Sequence, residues 1–345
     1  MLNKRPSVLL IYTGGTIGMK KNSVTGALEA FNFDRLVSNV PELNQFHTLI
    51  NTYQFDPPID SSDMNPKLWA KLVKIINYNY DLYDGFVILH GTDTMSFTAS
   101  ALSFMLENLS KPVILTGSQL PIGQLRTDGK ENLITSIEIA AAKHKNGTAM
   151  VPEVCIYFDE RLLRGNRTTK MNAENFNAFN SFNYPHLGKA GININYDHTR
   201  ILKPDLSKPL TPHFIYDTNV IVLSLFPGIQ ETIVRHVFSS PELKAIVMRT
   251  FGSGNAPQSE WLLECIKEAT ERGVVIVNIS QCMSGSVEMS RYGNGLQLLE
   301  AGVVSGHDST VESAVAKLMF LLGHFKDPSI VRYYMNQNLR GEITI

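Results

Sequence analysis

An α/β fold, two domains that each hold a mainly parallel sheet flanked by helices, is the class this chain predicts. Three observations carry that expectation. Short apolar runs alternate with segments of helical period along most of the sequence, as crossover connections between parallel strands require. Several runs, among them residues 8–12 and 86–89, show no polar alternation, as expected of strands covered on both faces. The length of 345 residues, 43% of them hydrophobic and 18% charged, supplies material for two cores.

Strands are expected at 8–12, 86–90, 113–116, 154–158, 219–225, 245–249 and 274–279. Between them, Asn65-Pro66 sets a cap residue before a proline at the first helical position, and Leu68, Leu72 and Ile75-Ile76 then share one face. Residues 94–109 repeat that period through Met95, Ala99, Leu102, Leu106 and Leu109, and Leu133, Ile137 and Ala140-Ala141 do so again. A helix carrying Trp261, Leu262, Cys265 and Ala269 closes at Gly273 as its C′ residue. Ser309 or Thr310 caps the helix of Val311, Ala314, Val315, Leu318 and Leu322, with Ser309 and Glu312 spaced for a capping box. Residues 159–196, rich in asparagine, glycine and arginine, hold no sustained period and read as a long loop, the kind that is functional or disordered. Pro204, Pro209 and Pro212 punctuate a polar stretch. An N-terminal domain of 1–200 is therefore expected to meet a smaller C-terminal domain of 216–345 through a linker at 201–215.

A net charge of −1 offers no field to attract nucleic acid or anionic lipid, which favours a small-molecule partner. Cys155, Cys265 and Cys282 are odd in number and far apart, so neither a disulfide framework nor metal-ligand spacing is present, and no metal or cofactor is expected. The apolar run after Lys4-Arg5 lasts five residues, too short for a signal-peptide core. No stretch approaches the ~18 apolar residues of a membrane span. A reducing cytoplasm is the expected location.

The chemistry-bearing residues gather where strands stop. The first run ends in Thr13-Gly14-Gly15-Thr16-Ile17-Gly18 and the second in His90-Gly91-Thr92-Asp93-Thr94. In an open α/β sheet the pocket lies beyond the carboxyl ends of the strands, where glycines let backbone approach a ligand. Thr16 is a helix cap or a nucleophile, and as a nucleophile it needs a neighbouring base or charge. Neither a phosphate loop nor a dinucleotide fingerprint fits the glycines around it. Thr92 and Asp93 cap a helix, or pair a hydroxyl with a carboxylate that grips an ammonium. Lys170 follows Arg161, Arg164 and Arg167; cationic neighbours together with burial lower a lysine pKa, so a neutral amine could serve Thr92 as its base. That arginine-rich stretch binds an anion equally well on sequence grounds. Asp60-Ser61-Ser62-Asp63 is a turn and cap or a cluster of ligand-binding groups. Gly117-Ser118-Gln119, Gly252-Ser253-Gly254-Asn255 and Gln281-Cys282-Met283-Ser284-Gly285 each end a further strand.

Taken together and in this order, these segments resemble the bacterial-type L-asparaginases of the asparaginase/glutaminase family, specifically the cytoplasmic type I enzymes. The resemblance implies that Thr16 attacks the side-chain amide of L-asparagine and forms an aspartyl ester, which water then hydrolyses, with glutamine at most a minor substrate. It implies a second triad of Thr92, Lys170 and Asp93, with Asp93 also holding the substrate ammonium and Asp60, Ser61 and Ser62 its α-carboxylate region. Gly15, Gly91 and the Ser118 carbonyl join the substrate site, and the Thr92 N–H serves the oxyanion, where one donor is worth ~3 kcal/mol. A homodimer or dimer of dimers is implied, a homotetramer in the larger case, with Asn255 reaching into a neighbouring subunit's site. Thr169, Arg249, Gln281 and Cys282 match a separate allosteric asparagine site. One departure stands out: the stretch Gly26-Ala27-Leu28-Glu29 carries no tyrosine to activate Thr16, and Tyr292 occupies a place that substitutes for it. Two other readings compete with a free-standing asparaginase. One is the ammonia-releasing subunit of a tRNA-dependent amidotransferase, disfavoured because the chain begins so close to its first strand. The other is a non-enzymatic amino-acid sensor, which would need no activated hydroxyl.

Overall fold

The computed structural model describes residues 5–21, 28–30, 40–291 and 293–345. They form two α/β units, Met1–Ser181 with Pro185–Phe214, and Phe182–Tyr184 with Ile215–Ile345. Residues 182–184 thus group with the second unit, and there Asn183 accepts from Gly285 N–H at 2.8 Å and donates to the Asp308 carbonyl at 3.0 Å.

In the first unit the strands β1 (Ser7–Tyr12), β2 (Leu49–Gln54), β3 (Gly85–Leu89), β4 (Val113–Thr116) and β5 (Val154–Phe158) are parallel neighbours in the order β2-β1-β3-β4-β5. Every residue of β1, β3, β4 and β5 is buried, which explains their lack of polar alternation. On the far side β6 (Arg161–Arg164) turns back antiparallel to β5. A short antiparallel pair follows, β7 (Thr169–Lys170) with β8 (Phe179–Asn180), and β9 (Gly188–Lys189) and β10 (Asn195–Tyr196) complete an eight-stranded sheet beyond β6. The crossover helices are α1 (Pro66–Tyr78), α2 (Met95–Met105) and α3 (Gly129–Ala141). Asn65 caps α1, its side-chain oxygen accepting from Lys67 and Leu68 N–H, and α1 buries Trp69, Leu72, Val73, Ile75 and Ile76.

The strand order has one functional consequence. After β1 the chain moves outward to β2, then returns to the opposite side of β1 for β3. Loops leaving β1 and β3 therefore part in opposite directions and open a crevice at their carboxyl ends, the switch point where open α/β sheets bind ligands.

The second unit holds β11 (Val220–Ser224), β12 (Ala245–Thr250), β13 (Val275–Ser280) and β14 (Val304–Ser305), all parallel and in that spatial order. Around them lie α4 (Glu231–Phe238), α5 (Glu260–Glu271), α6 (Gly293–Glu300), α7 (Val311–His324) and α8 (Pro328–Met335). Ile246, Met248, Leu262, Ile266, Ile276 and Leu298 centre the core. Helix α5 ends in a Schellman arrangement: Gly273 N–H donates to the Thr270 carbonyl and Val274 N–H to that of Ala269. The C-terminal tail is clasped by a buried ion pair, Lys317 Nζ to Glu342 at 2.6 Å, whose carboxylate also accepts from Leu339 and Arg340 N–H. None of the described helices is long and apolar enough to cross a membrane.

Four local expectations change. Residues 159–196 are not a structureless loop but carry β6 to β10, strands too short to show a period. Helix α2 stops at Met105, and Leu106–Glu107 instead pairs with Thr211–Pro212. Strand β2 adds to the expected set; it forms the sheet edge and leaves most of its side chains exposed, with no apolar face to detect. Thr310, not Ser309, caps α7 by accepting from Ser313 N–H at 3.1 Å; Ser309 turns its hydroxyl to the Gly306 carbonyl, so the Ser309–Glu312 box does not form.

Candidate active site

The two threonine loops are tied together at the strand ends. Thr13 donates through both its N–H and its hydroxyl to the Leu89 carbonyl, each at 3.0 Å. Gly15 then passes directly against Gly91. A Cβ placed on Gly15 would lie 2.5 Å from the Gly91 nitrogen and Cα, and Gly15 adopts φ 93°, so both contact and conformation require glycine. Thr16 follows as the first residue of a short 3-10 turn (Thr16–Gly18), with Gly15 in the cap position, and is half-buried. Thr92 follows Gly91, also half-buried. Backbone contact thus makes neighbours of residues 76 positions apart in sequence.

Lys170 reaches the second loop. Its Nζ donates to Thr92 Oγ1 at 2.8 Å and to Asp93 Oδ1 at 2.7 Å. Lys170 is brought there by the turn at Gly165–Arg167, where a Cβ on Gly165 would meet Ala99 of α2 at 3.0 Å. Helix α2 begins just after Asp93, so one rigid element mounts both partners. Arg164 finds a different partner. Its guanidinium is buried against Glu153 at 2.7 Å, and the charged group that meets Lys170 is the Asp93 carboxylate. Nor does Thr92 cap α2; Thr94 holds that position and sends its hydroxyl to the Ser61 carbonyl at 2.6 Å.

That bond fastens the third segment. Asp60 caps the turn Ser61–Asp63, its Oδ1 accepting from Ser62 N–H at 2.8 Å and Ser62 Oγ at 2.9 Å. These bonds hold the Asp60 carboxyl below the usual carboxylate range. Ser61 Oγ lies 2.5 Å from where a Gly91 Cβ would be, so Gly91 is crowded from two sides. Ser118 is buried and donates its hydroxyl to the Leu120 carbonyl at 2.5 Å. Gln119, singled out in the sequence only for its backbone, uses its side chain too. Its Oε1 accepts from Thr92 Oγ1 at 3.4 Å, and its Nε2 donates to the Ala173 and Asn175 carbonyls in the segment after Lys170. Asp128 fixes this stretch from below by accepting Gln119 and Leu120 N–H.

Sequence reasoning passes over the support of His90. Trp69 Nε1–H donates to Thr98 Oγ1 at 3.1 Å, Thr98 Oγ1 lies 2.9 Å from His90 Nε2, and His90 Nδ1 lies 2.7 Å from the Gly91 carbonyl. All three side chains are buried. The detectable signal is a threonine one helical turn along α2 from a strand-end histidine, facing a tryptophan of α1. Burial depresses the His90 pKa to about 4, with its bond to Gly91 opposing the shift. Because the folded value lies below the ordinary 6.5, the unfolded chain binds more protons between the two. The contribution of neutral His90 to stability is therefore complete above about pH 6.5 and declines as pH falls toward about 4. Urea titrations of the native chain and of His90→Asn across that window should show an acid-side loss, on the order of 3 kcal/mol, that is confined to the native chain. Parallel curves would contradict it.

The remaining candidates lie elsewhere. Thr169 pairs with Asn180 across β7 and β8. In the second unit Asn255 closes a tight turn with Phe251 through reciprocal backbone bonds of 2.8 and 2.9 Å, and Asn278 steadies that turn by donating to the Gly254 carbonyl. Gln281 Nε2 donates to the Arg249 and Leu225 carbonyls, and the exposed Cys282 follows it, so Arg249, Gln281 and Cys282 share one end of that sheet. Tyr292 lies outside the described residues.

Comparison with known proteins bears on the whole chain. Residues 7–202 match the family model "Asparaginase, N-terminal", and residues 219–335 match "Glutaminase/Asparaginase C-terminal domain". L-asparaginase 1 of Escherichia coli K12 is 44% identical over 342 residues, covering 99% of both chains. The crystal structure of L-asparaginase I from Vibrio cholerae superposes with a TM-score of 0.89 at 44% identity, covering 99% of this chain and 100% of that one. The thermostable L-asparaginase from Thermococcus kodakarensis superposes with a TM-score of 0.88 at 33% identity, covering 98% of this chain and 99% of that one. With both family models matched in order on a two-unit α/β fold, the chain belongs to the asparaginase/glutaminase family.

Proposed function

We propose that the protein hydrolyses the side-chain amide of L-asparagine, giving L-aspartate and ammonia through an ester on Thr16. The observation that carries the mechanism is Lys170 bridging the Thr92 hydroxyl and the Asp93 carboxylate, on a loop whose glycine abuts the loop of Thr16. Thr16 Oγ attacks the amide carbon, and its proton passes to Tyr292, which acts in this step as the phenolate. The negative charge gathering on the carbonyl oxygen is met by the Thr92 N–H. Because Lys170 already donates to Thr92, a proton passes from Lys170 through the Thr92 hydroxyl to the departing nitrogen, and ammonia leaves. The direction then reverses: a water gives its proton to Thr92, Thr92 passes one back to Lys170, the hydroxide attacks the ester carbon, and Tyr292 returns its proton to Thr16 Oγ as that oxygen leaves with release of L-aspartate. Asp93, with its side chain 65% exposed, remains open to the substrate ammonium while it orients Lys170.

Gly15, Asp60, Ser61, Ser62, Gly91 and Ser118 are assigned to the substrate site, and Asn255 to the site of a second copy in a homodimer or dimer of dimers. Within this reading the 1–200 domain carries the nucleophile and the Thr92–Lys170–Asp93 triad, the 216–345 domain contributes Tyr292 and Asn255, and the enzyme works in a reducing cytoplasm. Ammonia release by the purified chain over a concentration series of asparagine, with glutamine in parallel, tests it. Saturable release from asparagine at a kcat/KM at least ~10-fold above glutamine supports the assignment, a ratio within reach of a single methylene. Release that requires an added amidotransferase partner would overturn it in favour of an ammonia-donating component of a larger assembly.

A further inference from the structure

We infer that His90 is a positioning residue: its Nδ1–H, held in that tautomer by Thr98 and Trp69, aims the Thr92 N–H into the crevice. The inference rests on the oxyanion role given above to that N–H. A carbonyl oxygen only accepts, so at 2.7 Å from Gly91 O the His90 Nδ1 must carry the proton. Nε2 is then an acceptor and takes the Thr98 hydroxyl proton at 2.9 Å, while Thr98 Oγ1 accepts from Trp69 Nε1–H, which only donates. Each role in the chain is fixed by its neighbour, and it begins at a group with no alternative.

The consequence for Thr92 follows from peptide geometry. The Gly91 carbonyl and the Thr92 N–H belong to one planar trans unit and point in opposite directions. His90 is 1% exposed, so it draws that carbonyl toward the protein interior, and the N–H is turned the other way. Among the described residues the Thr92 N–H has no hydrogen-bond partner, although Thr92 is only half-exposed. A donor aimed and left vacant before charge develops is the arrangement that stabilises an oxyanion without reorganisation. Glycine at 91 allows the unit to sit against both Gly15 and Ser61 while being turned this way.

The test compares two amides at position 90. His90→Asn places an N–H donor where Nδ1 stands, and His90→Gln places polar atoms at the Nε2 position but removes the donor to Gly91. On asparagine, His90→Asn should keep kcat within about fivefold of the native chain. His90→Gln should lose about 100-fold in kcat with KM within twofold, the scale of a misplaced reacting geometry. Thr98→Val, with Thr98→Ser as its rescue, should lose about 10-fold in kcat, since the buried Nε2 then loses its donor and the ring its fixed orientation. If a variant does not fold, nitrogen-15 NMR of histidine-labelled native protein still decides the tautomer, and a protonated Nε2 would overturn the inference. Equal kcat losses for the asparagine and glutamine variants, or losses confined to KM, would overturn it as well. An inactive native chain would instead condemn the parent reading, which keeps the two failures apart.

Discussion

Thr16→Val is expected to abolish amidase activity, lowering kcat by ~10⁴-fold or more, while the chain folds as before. Valine matches threonine in shape and removes only the hydroxyl. Thr16 is half-buried at the head of a short turn whose cap position belongs to Gly15, and among the described residues its hydroxyl makes no hydrogen bond that holds the turn. Thermal unfolding should accordingly shift by no more than about 1 °C, the scale of a few tenths of a kcal/mol in a chain of this size. Thr92→Val should be nearly as damaging, because it removes the atom that links Lys170 to the substrate nitrogen. Residues that act on one transition state lose their effects together, so the double variant should be little slower than either single one. Fully multiplicative losses would mean that the two hydroxyls serve independent steps. Ordinary turnover by Thr16→Val would end its assignment as nucleophile.

Much of this is legible in the chain itself, for reasons that differ by element. Strands β1, β3, β4, β5, β12 and β13 are central and apolar on both faces, so their composition alone marks them. Helix α1 announces itself through Asn65-Pro66, and α5 through Gly273, because capping chemistry is local. Strand β2 is hidden because an edge strand with mostly exposed side chains shows no apolar face, and the strands of residues 159–196 because two to four residues are too few to show a period. The same division holds at the site. Thr16, Thr92, Asp93 and Lys170 can be picked out by residue type and position, but the bonds of Lys170 to Thr92 and Asp93 depend on a β6–β7 excursion with no periodic signature. The pairing of Arg164 with Glu153 shows the same limit, because sequence proximity to Lys170 suggests an electrostatic neighbour that folding directs to another partner. His90, Thr98 and Trp69 come from three separate elements, and only the fold brings their polar atoms into a line.

Gly15→Ala should separate the two threonine loops, with a kcat loss of about 100-fold or more for a displacement near 1 Å. The added methyl would meet the Gly91 nitrogen and Cα at 2.5 Å, and the obstacle is backbone, which cannot rotate aside as a side chain would. The φ of 93° adds conformational strain, so a stability cost of about 1–3 kcal/mol is expected alongside. Strain alone must be distinguished from the contact. Gly147 supplies the control, with φ 88° and open space where its Cβ would stand. Gly147→Ala should lose comparable stability in urea titration yet keep full turnover, because nothing at the site leans on that loop. If Gly15→Ala also kept full turnover, the meeting of residues 15 and 91 would have no part in catalysis, and the two hydroxyls would not need the common crevice that the β2-β1-β3 order creates for them.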